Sequence, residues 1–187
     1  MESDRRNAGR ETAVVEAEHS LVTLPWYVVH VRSRHEFVVH DELERKNIRA
    51  FLPSFKRTSQ WKDRKKEIDH PLFPGYVFVQ VPDRPGSFLE VLKTRGVVVF
   101  VTLAPGMPTP VATEEIDSLR LMVGTCGELD VYPHLKEGMR VRVKSGPLEN
   151  AEGILWKKEN EYRFAINVEL LGRSVAVRIA PDDIEAA

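Results

Sequence analysis

The stretch Leu72-Phe73-Pro74-Gly75-Tyr76-Val77-Phe78-Val79-Gln80-Val81 decides the fold of the first half of the chain. Pro74 followed by Gly75 is typical of the central positions of a type II turn, where glycine supplies the positive φ. The β-branched and aromatic residues that follow predict a buried strand. We therefore expect a turn that leads directly into a strong strand.

Patterns on both sides of this strand predict a small antiparallel sheet flanked by helices. Trp26–Val31 reads as a first strand, and residues 50–55 and 97–103 read as two more. One helix is expected over residues 33–47, a second over 87–95, and a third for which Thr113 can serve as the N-cap. Ser87 with Glu90 matches a capping box, and Ile116, Leu119 and Val123 share a face of the third helix. Together these elements predict an α/β (α+β) layered domain over residues 23–123.

The remainder of the chain has a different organisation. Residues 124–135 carry glycine, proline and acidic residues and are expected to be a linker. Over residues 136–187 apolar residues alternate with polar ones, as at Met139, Val141 and Val143, which predicts an all-β domain of about 50 residues. Gly172-Arg173 suits a tight hairpin turn. Closure into a small barrel would remove exposed edges. Residues 1–22 lack the apolar core of a signal peptide and are expected to be a disordered tail.

Composition excludes several classes of protein. The net charge of the 187 residues is −1, so binding of nucleic acid by bulk charge is not expected. The single cysteine, Cys126, permits no internal disulfide. No apolar run approaches the roughly 20 residues that a membrane-spanning helix needs. We expect a soluble, cytoplasmic monomer with no membrane partner.

The sequence lacks the common catalytic and metal-binding patterns. The six histidines form no metal-ligand spacing, and there is no nucleophile elbow and no phosphate-binding glycine loop. We therefore predict no catalytic residue, no metal site and no cofactor, and a protein that is not an enzyme.

Several short motifs, taken in order, resemble one family. Trp26-Tyr27-Val28, Phe73-Pro74-Gly75-Tyr76-Val77 and Thr94-Arg95-Gly96-Val97 resemble the N-terminal (NGN) domain of NusG-type transcription elongation factors. The run Gly138-Met139-Arg140-Val141-Arg142-Val143, with Ser145-Gly146-Pro147 and Gly153 after it, resembles a KOW motif, whose domain is an SH3-like barrel. The resemblance covers about residues 24–185. The basic segment Gln60-Trp61-Lys62-Asp63-Arg64-Lys65-Lys66 is too polar for a core and is expected to be an exposed hairpin or loop. It looks closer to the specialised RfaH-like and UpxY-like antiterminators.

The resemblance implies a function in transcription elongation and antitermination. The N-terminal domain would dock on the β′ clamp helices of RNA polymerase, with the β subunit as a further contact, and would suppress pausing. Phe73, Pro74 and Tyr76 match the docking positions. The residues that match DNA-contacting positions of RfaH-like proteins, and would contact the non-template strand, are Arg32, His35, Arg45, Lys46 and Arg95.

The resemblance also implies that the C-terminal domain recruits a partner, either a small-subunit ribosomal protein or Rho. The partner-binding position falls at Leu171 and Arg173. Strand parity predicts that Leu171 points away from Ile166 and Val168 and is exposed. Housekeeping NusG proteins have phenylalanine where this chain has Leu171, which puts Rho binding in doubt. An alternative that stays open is a KOW-type protein that binds RNA or the ribosome in translation.

Overall fold

The computed structural model describes residues 24–61, 64–126, 129–133, 138–158 and 161–187. The expectation of a disordered tail over residues 1–22 lies outside the described residues.

Within those residues the chain forms twelve strands and three helices. The helices are α1 (Glu36–Arg45), α2 (Pro85–Leu92) and α3 (Thr113–Thr125). Short 3-10 turns cover Glu169–Leu171 and Pro181–Asp183. The strands are β1 (Trp26–Val31), β2 (Arg49–Phe51), β3 (Ser54–Trp61), β4 (Arg64–Pro71), β5 (Tyr76–Gln80), β6 (Val97–Phe100), β7 (Asp130–Pro133), β8 (Met139–Val143), β9 (Glu152–Lys158), β10 (Glu161–Val168), β11 (Arg173–Arg178) and β12 (Ile184–Ala186).

The first half of the chain is built on a four-stranded antiparallel sheet in the order β2-β5-β1-β6. β5 lies between β2 and β1, and its register with β1 runs from Trp26 opposite Gln80 to His30 opposite Tyr76. The stretch over residues 72–81 therefore supplies an interior strand of this N-terminal sheet. The prediction of a mixed α/β part followed by an all-β part is confirmed.

Strand β1 is buried on both faces, which explains why its sequence is almost continuously apolar. Tyr27, Val29 and Val31 pack on one side with residues of α1 and α2. Trp26 and Val28 point to the opposite side. The N-terminal sheet thus separates two apolar layers.

The helix starts differ from the expected caps. α2 begins at Pro85, whose fixed φ suits the first helical position, so Ser87 lies inside the first turn and caps nothing. Ser87 Oγ instead accepts a hydrogen bond from Arg84 Nε at 3.0 Å. Ala112 occupies the cap position of α3, and Thr113 makes no side-chain cap bond. The third buried residue of α3 is Met122 in place of the expected Val123, because helical spacing after Leu119 places Met122 on the inner face.

The strand predicted at residues 50–55 is divided in two. Pro53 interrupts it because proline has no N–H to offer a ladder. The chain then enters a hairpin, β3–β4, whose register runs from Ser54 opposite Pro71 to Trp61 opposite Arg64. The basic segment around Trp61 was predicted to be an exposed hairpin or loop, and the hairpin is confirmed.

The C-terminal sheet has six strands in the order β12-β8-β9-β10-β11-β7. Four residues of the segment expected to be a linker, Asp130–Pro133, form β7 instead, because Val131 and Tyr132 are strand formers that pair with the open edge of β11. The tight turn predicted at Gly172-Arg173 is also wrong. Val168 pairs with Arg173, so residues 169–172 form a four-residue loop that ends with Gly172 at φ 58°.

Helix α3 joins the two sheets into one apolar core. Its buried residues Ile116, Leu119 and Met122 belong to a cluster that holds Trp26 and Phe78 of the N-terminal sheet. The same cluster includes the C-terminal residues Val141, Val143, Phe164, Ile166, Val168 and Val175. Burial of each large apolar side chain is worth about 1.5–3 kcal/mol. This shared core holds the C-terminal sheet against the N-terminal part. In the described part of the chain, no helix has the length and apolar character needed to span a membrane.

Candidate functional site

The turn at residues 73–76 has the geometry predicted from Pro74 and Gly75. The Tyr76 N–H donates to the Phe73 carbonyl at 3.1 Å, which closes the turn. Gly75 has φ 87°, as the third position of a type II turn requires. The Gly75 carbonyl accepts from Val31 N–H at 2.8 Å, and the Gly75 N–H donates to Glu36 Oε1 at 2.8 Å. Both polar groups of Gly75 are therefore held by the segment between β1 and α1.

The two aromatic residues of this turn have different surroundings. Phe73 is only 3% exposed, and its ring packs edge-on against Phe78 at 6.1 Å between centroids. Tyr76 is half-buried, and its ring contacts the ring of His30 at 5.5 Å. Pro74, at the tip of the turn, is exposed. In this arrangement Pro74 and one side of Tyr76 face solvent, whereas Phe73 belongs to the core.

Four of the five residues expected to contact DNA converge on the segment Thr94-Arg95-Gly96. Arg32 N–H donates to the Gly96 carbonyl at 2.8 Å. Lys46 Nζ donates to Thr94 Oγ1 at 2.8 Å, which brings the end of α1 to the end of α2. Arg95 itself is exposed. We call Arg32, His35, Lys46 and Arg95 the cation cluster.

Gly96 permits this convergence. Its φ is 103°, and an added Cβ would lie 2.7 Å from Val39 Cγ2 and 3.4 Å from His35 Cβ. A side chain at this position would push helix α1, and His35 with it, away from Arg95. The glycine therefore has a steric role as well as a conformational one.

Two members of the predicted DNA face have local partners. Arg45 donates to Glu42 Oε1 at 2.7 Å across one turn of α1, so its charge is partly neutralised. The His35 Nδ1–H donates to the Ser33 carbonyl at 3.0 Å. That bond leaves Nε2 as the outward nitrogen, which accepts a hydrogen bond when the ring is neutral and donates one when it is protonated.

The predicted partner site in the C-terminal part is less exposed than expected. Strand β10 ends at Val168 and a 3-10 turn follows, so strand parity does not extend to Leu171. Leu171 is half-buried against the shared core, and the expectation that it is exposed is wrong. Arg173, the first residue of β11, is exposed.

The docking turn and the C-terminal site lie against each other. A cavity of about 260 Å³ is lined by Phe73, Pro74 and Tyr76 on one side and by Leu171 and Arg173 on the other, with Leu72 and Val131 completing the wall. The closed arrangement of the two sheets therefore brings both predicted partner sites to one place.

Sequence reasoning missed two polar residues that organise this region. Glu36 is 5% exposed and holds Gly75, and Thr94 is 2% exposed and holds Lys46. Glu36 lies three residues before Val39 and seven before Leu43, on the buried face of α1. A carboxylate at helical spacing with core residues is a signal that could have identified it.

Two other kinds of chemistry concern metal-ligand residue types and the basic residues of the β3–β4 hairpin. No group of three or more histidine, cysteine, aspartate or glutamate residues that could hold a metal ion occurs in the described ranges. Lys56 and Arg57 at the base of the β3–β4 hairpin are exposed, and Lys56 lies 3.6 Å from Glu67. The side chains of residues 58–66, which include the whole basic segment 60–66, lie outside the described part of the chain.

Comparison with known proteins adds sequence evidence. Residues 24–120 match the family model NusG, described as transcription termination factor nusG. The transcription termination/antitermination protein NusG of Halalkalibacterium halodurans is 30% identical over 172 residues, covering 86% of this chain and 97% of the relative. The protein of the same name from Staphylococcus carnosus is 28% identical, with 86% and 94% covered. A solved structure on domain interaction in Thermotoga maritima NusG aligns with a TM-score of 0.50 at 26% identity, covering 87% of this chain and 96% of that one.

Proposed function

The chain belongs to the NusG family of transcription termination/antitermination factors, and on that premise we propose that it binds RNA polymerase at the β′ clamp helices through the turn at residues 73–76. In this proposal the bound factor suppresses pausing during elongation. Members of this family are regulators of transcription and not enzymes.

The observation that carries the proposal is the way the turn presents its side chains. Gly75 is hydrogen-bonded through both its carbonyl and its N–H, so the turn is held firmly at the start of β5. Pro74 is exposed and Tyr76 is half-exposed beside it. A rigid aromatic next to a proline is suited to packing on the apolar face of a helix, because little side-chain entropy is lost on binding. Phe73 lies on the core side of the turn, where it packs against Phe78.

We propose that the cation cluster contacts the non-template DNA strand. Arg32, Lys46 and Arg95 supply positive charge for phosphates, and His35 supplies a ring that can stack on a base. Because each neutralised phosphate releases condensed counterions, DNA affinity should fall steeply with salt. Arg45 should contribute less than the others, since Glu42 already pairs with it.

For the C-terminal part we propose a KOW-type barrel that recruits a small-subunit ribosomal protein or Rho through Leu171 and Arg173. These two residues face the docking turn across a shared cavity. Either partner would therefore have to separate the two sheets before it could bind fully. We expect the isolated N-terminal part to bind polymerase more tightly than the full chain, because a site that is open only part of the time has a reduced apparent affinity.

Lys56 and Arg57 are exposed where the β3–β4 hairpin begins. These two positive charges favour a specialised, RfaH-like or UpxY-like member of the family. Action on RNA polymerase implies the cytoplasm of a bacterial cell, and we propose that the factor acts there as a monomer.

The test is calorimetric binding of the full chain, and of residues 20–126, to a β′ clamp-helix fragment. Tyr76→Ala is the docking variant, since loss of the buried Phe73 ring would damage the core. Leu103→Ala removes another exposed apolar side chain, 75% exposed, and is the control. We expect affinity on the order of micromolar, weakened by Tyr76→Ala and unchanged by Leu103→Ala. Absence of binding by the folded protein, both to the fragment and to whole polymerase, would refute the proposal and redirect attention to ribosomal RNA.

A further inference from the structure

Glu36 is a buried carboxylate for which the proposed contacts with polymerase and DNA provide no role. It lies in the first turn of α1, where the helix dipole favours a negative charge, yet its side chain leaves its own helix. Oε1 accepts the Gly75 N–H at 2.8 Å, across 39 residues of sequence. Glu36 is 5% exposed, and its bond to Gly75 is part-buried.

The two hydrogen bonds of Gly75 end on either side of one short segment. The carbonyl is bound to Val31 N–H and the N–H to Glu36, and residues 32–35 lie between these two anchors. Arg32 and His35, two members of the cation cluster, are in that segment. The turn and the segment are therefore held together at both ends.

The far side of the same segment is tied to the rest of the cluster. Arg32 N–H donates to the Gly96 carbonyl, next to the exposed Arg95. A continuous set of hydrogen bonds thus runs from the docking turn through residues 31–36 to Gly96. Of these two bonds to Gly75, the one to Glu36 is made by a side chain, so it can be removed by substitution.

We propose that Glu36 is a positioning residue that locks the docking turn to the cation cluster, so that polymerase docking places Arg32 and His35 against DNA. The inference rests on the proposed function for its partners. Removal of the carboxylate leaves a part-buried N–H without this acceptor and allows the turn to move relative to α1.

The chain offers a matched control on the same helix. Glu44 Oε1 accepts the Ala50 N–H at 2.6 Å, the same kind of bond between α1 and a backbone amide. That bond reaches β2 and touches neither the docking turn nor the cation cluster. Glu36→Gln keeps an oxygen acceptor of similar shape, so it tests whether the acceptor or the charge matters.

The experiment compares wild type, Glu36→Ala, Glu36→Gln and Glu44→Ala as full chains. The readouts are affinity for the β′ clamp-helix fragment, affinity for a single-stranded DNA oligonucleotide with the fragment bound, and thermal stability. We expect Glu36→Ala to weaken both affinities by about tenfold, as loss of a hydrogen bond to a charged group implies. Glu36→Gln should remain within about threefold of wild type, because a neutral acceptor retains part of the bond. Equal affinities for Glu36→Ala and Glu44→Ala would overturn the proposal.

Hydrogen exchange at the Gly75 amide, followed by NMR, separates this inference from the proposed function. Faster exchange in Glu36→Ala, with Glu44→Ala unchanged, supports the locking bond even if wild type fails to bind the clamp-helix fragment. Unchanged exchange in Glu36→Ala refutes the locking bond, whatever the binding data show.

Discussion

Gly96→Ala tests the steric reason for the position of α1. The substitution adds one methyl group at a residue whose φ is 103°, and the new Cβ would lie 2.7 Å from Val39 Cγ2. Val39 is fully buried, and its β-branched side chain has few alternative rotamers, so it cannot easily move aside. We expect the helix to shift or the protein to lose stability.

The magnitude follows from two contributions. A left-handed backbone costs a residue with a Cβ roughly 1–2 kcal/mol, and overpacking of a core adds about 1–3 kcal/mol. The predicted loss in the free energy of unfolding is therefore about 2–5 kcal/mol. Gly75→Ala is the matched comparison, since its φ is also positive at 87° but its nearest atom, His30 Nε2, is 3.6 Å away. Gly75→Ala should lose only the roughly 1–2 kcal/mol that the left-handed backbone conformation costs.

Urea unfolding measures the difference. Far-ultraviolet circular dichroism follows the unfolding of the chain, and tryptophan fluorescence provides a second probe, since Trp26 is 1% exposed in the core shared by the two sheets. With a urea slope of about 2 kcal/mol/M, Gly96→Ala should lower the midpoint by about 1–2.5 M. The reasoning is refuted if Gly96→Ala is no less stable than Gly75→Ala.

Two further outcomes follow from burial. Phe73→Ala should lower the free energy of unfolding, measured by chemical denaturation, by about 3–5 kcal/mol. Tyr76→Ala should cost clearly less, because Phe73 is 3% exposed whereas Tyr76 is half-buried. Equal losses would contradict the assignment of Phe73 to the core. Burial, then the charge of Asp83 and a hydrogen bond to it, raise the pKa of Tyr27. The stability from neutral Tyr27 is therefore complete below the ordinary tyrosine pKa of about 10 and is lost as the pH rises through the folded-state pKa. Urea midpoints between about pH 8 and 11 should fall less in Tyr27→Phe than in wild type, and parallel curves would contradict the prediction.

Much of the fold was determined by the sequence itself, because short-range patterns encode local geometry. Pro74-Gly75 required a turn with a positive φ, and the turn is present with its closing hydrogen bond. The apolar run of β1 predicted a buried strand, and the strand is buried on both faces.

Local patterns failed where two signals competed. Ser87 fits a capping box, but Pro85 is better suited to the first helical position and the helix begins there. Strand parity predicted an exposed Leu171, but parity ends where the backbone leaves the extended conformation at Val168. The linker was expected to be irregular, yet Asp130–Pro133 pairs with the edge of strand β11.

Only the tertiary structure decided which residues act together at the candidate site. Glu36 reaches Gly75 across 39 residues and Lys46 reaches Thr94 across 48. No periodicity connects residues so distant in sequence, because such contacts depend on how α1, β5 and α2 pack. The same holds for Phe73 and Tyr76, which are indistinguishable as aromatic neighbours of one turn. Packing against Phe78 buries Phe73 and leaves part of Tyr76 exposed.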